Sequence, residues 1–300
     1  MLGLAGKRPS AHALALSVVI AASLYSIGFW LIHPLTNPGP SDYERAAEIV
    51  RSGFRASDAI VARPWWAARA RQLLGDLEFL QLRSPETEDW SEYRRLWVVE
   101  LDGQRPLGGP FEDGRYRQEL EARAGRLTVR RYLLGDPVKV VYDFRRRLDR
   151  ARVSMIRQGK PVPCSKWIEN RWQCSRRDWN YVGRIVVELG EDPRRVIWAH
   201  PPEVPLVIEY SGVPGGRELL VHTGLTPPAA RTPGGAPVRF EVEVDGKVLG
   251  RIVQRNRTGY FPHRFDISPL GPGPHTVRFT VSTPNPGMRH FCFDAKVRTW

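Results

Sequence analysis

The stretch Val238–Val253, with the sequence VRFEVEVDGKVLGRIV, decides the fold of the second half of this 300-residue chain. Apolar and polar residues alternate from Val238 to Val244, as in a strand with one buried and one solvated face. Asp245-Gly246 follows and leads into a second apolar-rich run. An Asp-Gly pair between two such runs predicts a two-residue type I′ turn. The stretch therefore predicts an antiparallel β-hairpin.

Short strand-like runs, separated by proline and glycine, continue on both sides of this hairpin. The predicted strands are Arg184–Leu189, Arg195–Ala199, Leu206–Tyr210, Glu218–Thr223, Val238–Val244, Lys247–Val253, Arg264–Ile267, His275–Val281 and Phe291–Val297. Many short strands at this spacing indicate an all-β sandwich. We assign an antiparallel β-sandwich, or jelly roll, to residues 181–300.

The first half of the chain has a different pattern, after a linker at residues 34–40, of which Leu35–Pro40 contains two prolines and a glycine. Ser41 with Glu44 three residues later matches the capping box of a helix. Strand-like and helix-like runs then alternate. Among them, Phe111–Ala124 is predicted as a helix and Leu127–Leu133 as a strand.

Strands regularly separated by helices are typical of a parallel α/β sheet. The sequence therefore predicts a small Rossmann-like α/β domain over residues 41–135. Residues 136–180 are expected to form a connection that carries a disulfide loop. The overall fold class is thus α/β plus all-β, behind one N-terminal membrane helix.

The N-terminal helix is predicted from the apolar run Ala11–Ile32, which follows Lys7 and Arg8. Twenty-two residues at about 1.5 Å each reach roughly 33 Å, enough to cross the bilayer core. The positive-inside rule then places residues 1–10 in the cytoplasm as a short tail. The remaining residues would face the periplasm, which makes this an inner-membrane protein with a single span.

The alternative for this run is a cleaved signal peptide, because small residues occur at Ala21-Ala22-Ser23. Secretory apolar regions are usually about 7–15 residues long. Here the apolar run continues well past the small residues. An uncleaved anchor at residues 11–33 is therefore favoured.

The cysteines fit an exported protein, because an oxidising compartment favours pairing. Cys164 and Cys174 are ten residues apart and are predicted to form a disulfide, which would stabilise the fold by roughly 2–3 kcal/mol on a chain-entropy estimate. Two unrelated thiols are the alternative. Cys292, between two phenylalanines, is expected to pack in a strand as a free cysteine.

The formal net charge of +13 attracts polyanions, including anionic lipid and acidic glycan. Predicted export argues against nucleic acid as the partner. No catalytic motif is recognisable, and no two of the seven histidines have helical metal-ligand spacing. The sequence therefore predicts no catalytic residue, no metal and no cofactor.

Tryptophan is the residue type that suggests a ligand, with ten in the chain. Four of them concentrate around the predicted disulfide and the start of the sandwich: Trp167, Trp172, Trp179 and Trp198. Ligand sites combine aromatic surface with a few polar groups, and sugars stack their apolar faces on such rings. His200 follows a predicted strand and is a further candidate. The alternatives are core packing for the tryptophans and a histidine packed on proline.

Two resemblances add to this. The first resemblance is to multi-spanning glycosyltransferases that use lipid-phosphate sugars. It rests on the order of the membrane helix, the capped helix, SDAIV at Ser57–Val61 and LWVV at Leu96–Val99. Residues 12–135 resemble the C-terminal periplasmic α/β domain of dolichyl-phosphate-mannose and aminoarabinose transferase relatives. Catalysis in that family lies in the first periplasmic loop among many helices, so no catalytic residue is carried over to this chain.

The second resemblance rests on GAPVRFEVEVDG at residues 235–246 and FDIS at Phe265–Ser268. These stretches resemble carbohydrate-binding-type jelly rolls appended to envelope proteins, over residues 180–300. The resemblance implies a fold that other proteins use to bind glycan, and a fold does not by itself establish a ligand.

Together these observations predict a non-catalytic, membrane-anchored envelope protein that binds or scaffolds cell-surface glycan or lipid-linked sugar. The alternative is a split or truncated part of a membrane glycosyltransferase whose catalytic transmembrane half is encoded elsewhere. In that case, a multi-spanning glycosyltransferase would be a partner.

Overall fold

The computed structural model describes residues 11–83, 85–103 and 107–300. The helices are α1 (Ala11–Thr36), α2 (Pro40–Gly53), α3 (Ala68–Leu74), α4 (Thr87–Trp90) and α5 (Pro227–Ala230). The strands of the first half are β1 (Asp58–Arg63), β2 (Arg95–Leu101), β3 (Arg117–Ala124) and β4 (Leu127–Leu133). The predicted cytoplasmic tail, residues 1–10, lies outside the described residues.

The strands that follow are β5 (Lys139–Asp143), β6 (Arg152–Arg157), β7 (Lys160–Pro163), β8 (Lys166–Ile168), β9 (Arg171–Gln173), β10 (Tyr181–Leu189), β11 (Asp192–Ala199), β12 (Leu206–Val213), β13 (Glu218–Leu225), β14 (Val238–Val244), β15 (Lys247–Gln254), β16 (Phe261–Asp266), β17 (His275–Ser282) and β18 (Phe291–Thr299). Single 3-10 turns lie at Gly109–Phe111, Leu148–Arg150 and Ser268–Leu270. The chain forms two compact units, and the second contains residues 57–59, 80–96 and 133–300.

The N-terminal helix α1 contains a 20-residue segment, Leu14–His33, with a mean hydropathy of 2.0. None of this segment is buried against the protein. A helix of this length and composition can cross a membrane or act as a signal anchor. The prediction of one N-terminal helix of spanning length is therefore confirmed, and its orientation stays a prediction.

Helix α2 begins one residue earlier than the predicted cap at Ser41. Pro40 occupies the first helical position, where its fixed φ suits the helix and its missing N–H costs nothing. The Asp42 carboxylate accepts a hydrogen bond from the backbone N–H of Gly39 at 3.0 Å. The predicted Ser41–Glu44 capping box is therefore wrong, and Asp42 takes the place assigned to Glu44.

The four-stranded sheet of the first half has the order β1-β2-β4-β3. Backbone hydrogen bonds from Leu134 N to Arg94 O (2.9 Å) and from Asp102 N to Arg126 O (3.1 Å) close the two ends of the β2–β4 pair. This pairing is antiparallel. Strands β3 and β4 are joined by two residues, a connection that only antiparallel neighbours permit. The predicted all-parallel, Rossmann-like sheet is therefore not formed by β2, β4 and β3, whereas Ile60 in β1 forms a parallel bridge with Phe79.

The source of that error is the helix predicted over residues 111–124. Its second half, RQELEARA, is rich in helix formers, yet it forms strand β3. Leu120, Ala122 and Ala124 are more buried than the residues between them, which is the period of a strand. Pairing with β4 has overridden the local helix propensity.

The second unit is built on two antiparallel sheets. One has the order β16-β13-β18-β11-β10-β9-β8, with β5 also paired to β18, and the other has the order β15-β14-β17-β12-β6-β7. All nine predicted strands between residues 184 and 297 are present, with ends shifted by up to three residues. From β12 to β18 the chain crosses repeatedly between the two sheets, as in a jelly roll.

The hairpin from which the prediction started has the expected turn. Val244 pairs with Lys247 across it, and Asp245 and Gly246 have φ values of 49° and 79°. Positive φ at both central residues defines the type I′ turn.

An aromatic core holds the two sheets together. The ring of Phe279 lies 5.6 Å from that of Phe240 and 5.2 Å from that of Phe293, and Phe291 lies 5.4 Å from Phe240. All four side chains are at most 1% exposed. Buried aromatic pairs at these distances add to the stability that their buried area provides.

Residues 136–180, predicted as a connection, contribute five strands to the two sheets. Strand β5 pairs with β18 and β6 with β12, so the sandwich begins well before residue 181. These strands are three to six residues long. Pro161 and Pro163 lie in β7, at the end of its sheet, where strand prolines are tolerated.

The predicted disulfide between Cys164 and Cys174 is present, with 4.3 Å between the two Cα atoms. It joins the residue after β7 to the residue after β9. Cys292 is a fully buried free cysteine in β18, as predicted.

Candidate functional site

Three of the sequence-predicted site residues, Trp179, Trp198 and His200, come together at the end of strand β11. The ring of His200 lies 4.6 Å from that of Trp179 and 5.9 Å from that of Trp198. The Trp198 indole N–H donates to the backbone carbonyl of Trp179 at 3.3 Å. Tyr181 stacks on Trp198 at 5.8 Å, and His290 lies 5.1 Å from Trp198. We call these five residues the aromatic cluster.

His200 is the most buried member of the cluster, at 5% exposure. Burial, with a smaller effect of the neighbouring His290, lowers the pKa of His200 to about 4. The imidazole is therefore neutral at physiological pH. No described residue forms a hydrogen bond with its Nδ1 atom.

Trp167 and Trp172 form a separate pair on strands β8 and β9. They are cross-strand partners with ring centroids 5.4 Å apart, and both pack against the core of the sandwich. The Trp172 indole N–H donates to the Leu148 carbonyl at 2.8 Å. These contacts give the pair a packing role, and its part in ligand binding stays a prediction.

A pocket of about 460 Å³ opens next to the Cys174 end of the disulfide. We call it the basic pocket. It is lined by Arg157, Ser175, Arg176, Arg177, Asn180, Pro202, Glu203 and Val204. These residues come from the end of β6, from the loop between β9 and β10, and from the loop between β11 and β12.

The loop between β9 and β10 is fixed by its own backbone. Cys174 N donates to the Asn180 carbonyl at 3.1 Å, and Asn180 N donates to the Arg177 carbonyl at 3.0 Å. The backbone N–H of Arg177 donates to Ser175 Oγ at 3.2 Å. Because Cys174 is also held by the disulfide, the pocket-lining residues of this loop are anchored at both ends.

Asn180 is a buried polar residue of the pocket, at 3% exposure. Its Nδ2 group donates to Ser175 Oγ at 3.0 Å and contacts Met155 Sδ at 3.7 Å. No described residue donates to its Oδ1 atom. Buried polar atoms are nearly always hydrogen-bonded. Asn180 thus lines the pocket and carries a buried acceptor that lacks a donor among the described residues.

The charge of the pocket is positive, with three guanidinium groups against the one carboxylate of Glu203. That carboxylate pairs with Arg177 at 2.9 Å. Its own backbone N–H and the Arg177 side chain lower the pKa of Glu203, so it stays ionised. In the described part of the chain, Arg157 and Arg176 have no ion-pair partner.

The basic pocket and the aromatic cluster are linked through Arg177. Its guanidinium lies 5.5 Å from the centroid of the Trp179 ring, a cation–π distance. The same side chain lines the pocket. A molecule bound in the pocket would therefore lie beside an aromatic surface, a neutral amide acceptor and cationic donors. Among the described residues, no group of three or more His, Cys, Asp or Glu side chains could hold a metal ion.

Sequence reasoning singled out Trp179 and His200, whose part in ligand binding stays a prediction, and it did not name the residues that line the pocket. The segment SRRDWN at Ser175–Asn180 combines arginines, a tryptophan and an amide, and this was the available signal. It was obscured because the chain has 45 Lys and Arg residues. Arg157 and Glu203 lie far from this segment in the sequence, and only the fold brings them to it.

No protein family model and no curated protein matches the chain. Among solved structures, it is similar to the CBM51 of GH95 from Clostridium perfringens in complex with methyl-galactose. The identity is 22% and the TM-score 0.29, covering 38% of this chain and 80% of the other. It is also similar to the structure of the CBM51-2 and INT domains of ZmpB from the same organism, with 19% identity and a TM-score of 0.29, covering 39% of this chain and 26% of the other.

A third similar structure is a family 35 carbohydrate binding module from an environmental isolate. Its identity is 9% and its TM-score 0.26, covering 49% of this chain and 92% of the other. The chain spans about a quarter of the length of two matched structures of the CBM51-2 and INT domains of ZmpB, 26% of the one named above and 25% of the one in complex with GlcNAc. Likeness at this level fixes neither a ligand nor the residues of a site in this chain.

Proposed function

We propose that this protein binds glycan in the basic pocket, beside the aromatic cluster, and that helix α1 holds it at the membrane. The observation that carries the proposal is the buried Asn180, whose Oδ1 atom has no donor among the described residues. It lines a pocket large enough for a small saccharide. A sugar hydroxyl supplies the donor that this acceptor needs.

The surroundings of Asn180 support a sugar better than a wholly apolar ligand. The pocket is lined mainly by polar and charged residues, and a sugar presents hydroxyls in several directions. Trp179 lies next to the pocket and is half-buried, so it offers ring surface for the apolar face of a sugar. Aromatic surface with a few placed polar groups is the usual composition of a ligand site.

The first test is retention of the full-length protein, in detergent micelles, on an array of bacterial envelope and plant polysaccharides. We expect binding to at least one glycan, and a loss of about tenfold for Trp179→Ala, which is worth about 1.4 kcal/mol. This variant removes both the ring surface and the support for the Arg177 guanidinium.

The matched control is Trp300→Ala. Trp300 also has an arginine over its ring, with the Arg217 guanidinium 4.7 Å from the ring centroid. His290 precedes β18 and Trp300 follows it. The two residues are therefore at opposite ends of the strand, roughly 30 Å apart at about 3.3 Å per residue. Equal losses in both variants, or no retention of the wild type on any glycan, would contradict the proposal.

A further inference from the structure

We infer that the ligand of the basic pocket is an anionic saccharide, one that carries a carboxylate or phosphate group as well as hydroxyls. This inference rests on the proposed glycan-binding function and names its substrate class. It follows from the balance of charges in the pocket. Three arginines line it against one carboxylate, and that carboxylate is already paired with Arg177 at 2.9 Å.

The two remaining arginines form no ion pair with Glu203, although the charge of Arg157 contributes to the lowered pKa of that carboxylate. Arg157 and Arg176 are both exposed at the pocket, and in the described residues neither has an ion-pair partner. A guanidinium presents a planar set of N–H donors that matches a carboxylate or a phosphate with two parallel hydrogen bonds. A neutral sugar would leave this cationic pair without a counter-charge.

Asn180 makes the ligand a saccharide rather than a bare anion. Its Oδ1 atom is a buried acceptor with no described donor. An ionised carboxylate or a phosphodiester group by itself offers acceptors only, so it cannot satisfy this atom, whereas a hydroxyl can. The three arginines and Asn180 line the same pocket of about 460 Å³. An acidic sugar unit carries both the anion for the arginines and the hydroxyl for Asn180.

Retention of the full-length protein in detergent on matched pairs of polysaccharides tests this inference. The pairs are polygalacturonate, alginate and hyaluronate, each with its carboxyl-reduced form, and a glycerol-phosphate teichoic acid serves as the phosphate arm. We expect at least one anionic glycan to bind about tenfold more tightly than any carboxyl-reduced form. Binding should weaken steeply as NaCl is raised from 50 to 500 mM, because exposed charges are screened.

The variants are Arg157→Gln and Arg176→Gln, each expected to weaken binding of the anionic glycan about tenfold. Both side chains are exposed, so folding should be unaffected. Arg239→Gln is the matched control, because Arg239 is also exposed on a strand of the sandwich and does not line the pocket. It should bind like the wild type.

The outcomes separate this inference from the proposed function. Equal retention on the acidic and carboxyl-reduced forms would overturn the inference and leave glycan binding in place. Unchanged binding in both pocket variants would also overturn it. No retention on any glycan would overturn both. Retention only on phosphatidylglycerol vesicles would assign the arginines to a lipid headgroup and overturn the inference as well.

Discussion

Replacing both Cys164 and Cys174 with serine is expected to weaken glycan binding about tenfold and to lower the free energy of unfolding by about 2–3 kcal/mol. The stability loss follows from the entropy that the unfolded chain regains when a loop of roughly ten residues is opened. The binding loss follows from position. Cys174 immediately precedes the pocket-lining residues Ser175–Arg177, and a loop that must be ordered on binding costs about 1 kcal/mol or more.

Urea denaturation of the full-length protein and glycan retention at a temperature where the variant is folded measure these two effects. Cys292→Ala is the control, since it removes the one cysteine outside the disulfide and leaves the loop closed. It should change stability without changing binding. A serine variant that is folded and less stable but binds glycan with unchanged affinity would show that the loop does not form the site.

Acidification from pH 6.5 is expected to destabilise the second unit through its buried neutral histidines, above all His222. This side chain is 9% exposed in β13 and stacks on the Tyr260 ring at 4.4 Å. Burial, with Lys296 as a nearby cation, lowers the pKa of His222 to about 3. Between that value and an ordinary pKa of about 6.5, the unfolded chain binds a proton that the folded protein does not. The free energy of unfolding therefore decreases as the pH is lowered through this window, by about 1.4 kcal/mol per pH unit.

Two other buried groups affect the free energy of unfolding in the same pH range. His200, whose pKa is about 4 because it is buried beside His290, adds a loss of the same sign between pH 6.5 and 4. Asp294 acts in the opposite direction, since burial raises its pKa to about 6. The folded protein binds that proton between about pH 6 and the ordinary value near 3.9, which stabilises it on acidification. One histidine's contribution is thus offset over most of the window.

Several groups titrate in the same pH range, so the pH dependence of the wild type alone does not isolate His222. The decisive readout is the difference in pH dependence between the wild type and a variant. Denaturant unfolding at pH 6.5, 5.5 and 4.5 should show that the stability of His222→Gln falls less steeply than that of the wild type, by about 1.4 kcal/mol per pH unit. His275→Gln is a control for the slope. A hydrogen bond with Asp245 raises the pKa of His275, so its stabilising effect is fully present below about pH 6.5 and is lost only at higher pH. Its removal should lower the stability at all three pH values and leave the slope unchanged. Parallel curves for the wild type and His222→Gln would contradict the assignment.

The sandwich was predictable because its strands have the simplest pattern that a sequence can show. In Val238–Val244 every second residue is buried in the core, and Asp245-Gly246 fixes the turn and so the register. The strands of residues 136–180 were missed because they are short and their residues do not alternate clearly. They are defined by the neighbours they pair with, such as β12 and β18.

The first half was harder to predict because local and tertiary preferences disagree there. The segment Arg117–Ala124 consists of helix formers, and only its pairing with β4 makes it a strand. Near the proposed site, sequence reasoning predicted the disulfide, which is present, and named Trp179 and His200, whose part in binding stays a prediction. It could not identify Arg157 or Asn180, because burial and an unsatisfied amide oxygen are properties of the folded chain.

Hydrogen–deuterium exchange of the full-length protein, with and without a retained glycan, tests the location of the site most directly. We expect slower exchange at the amides of residues 174–180 and of Glu203 and Val204, which surround the basic pocket. The hairpin of β14 and β15 should be unchanged. Slower exchange confined to that hairpin, or to any segment that does not line the pocket, with residues 174–180 unaffected, would contradict the account.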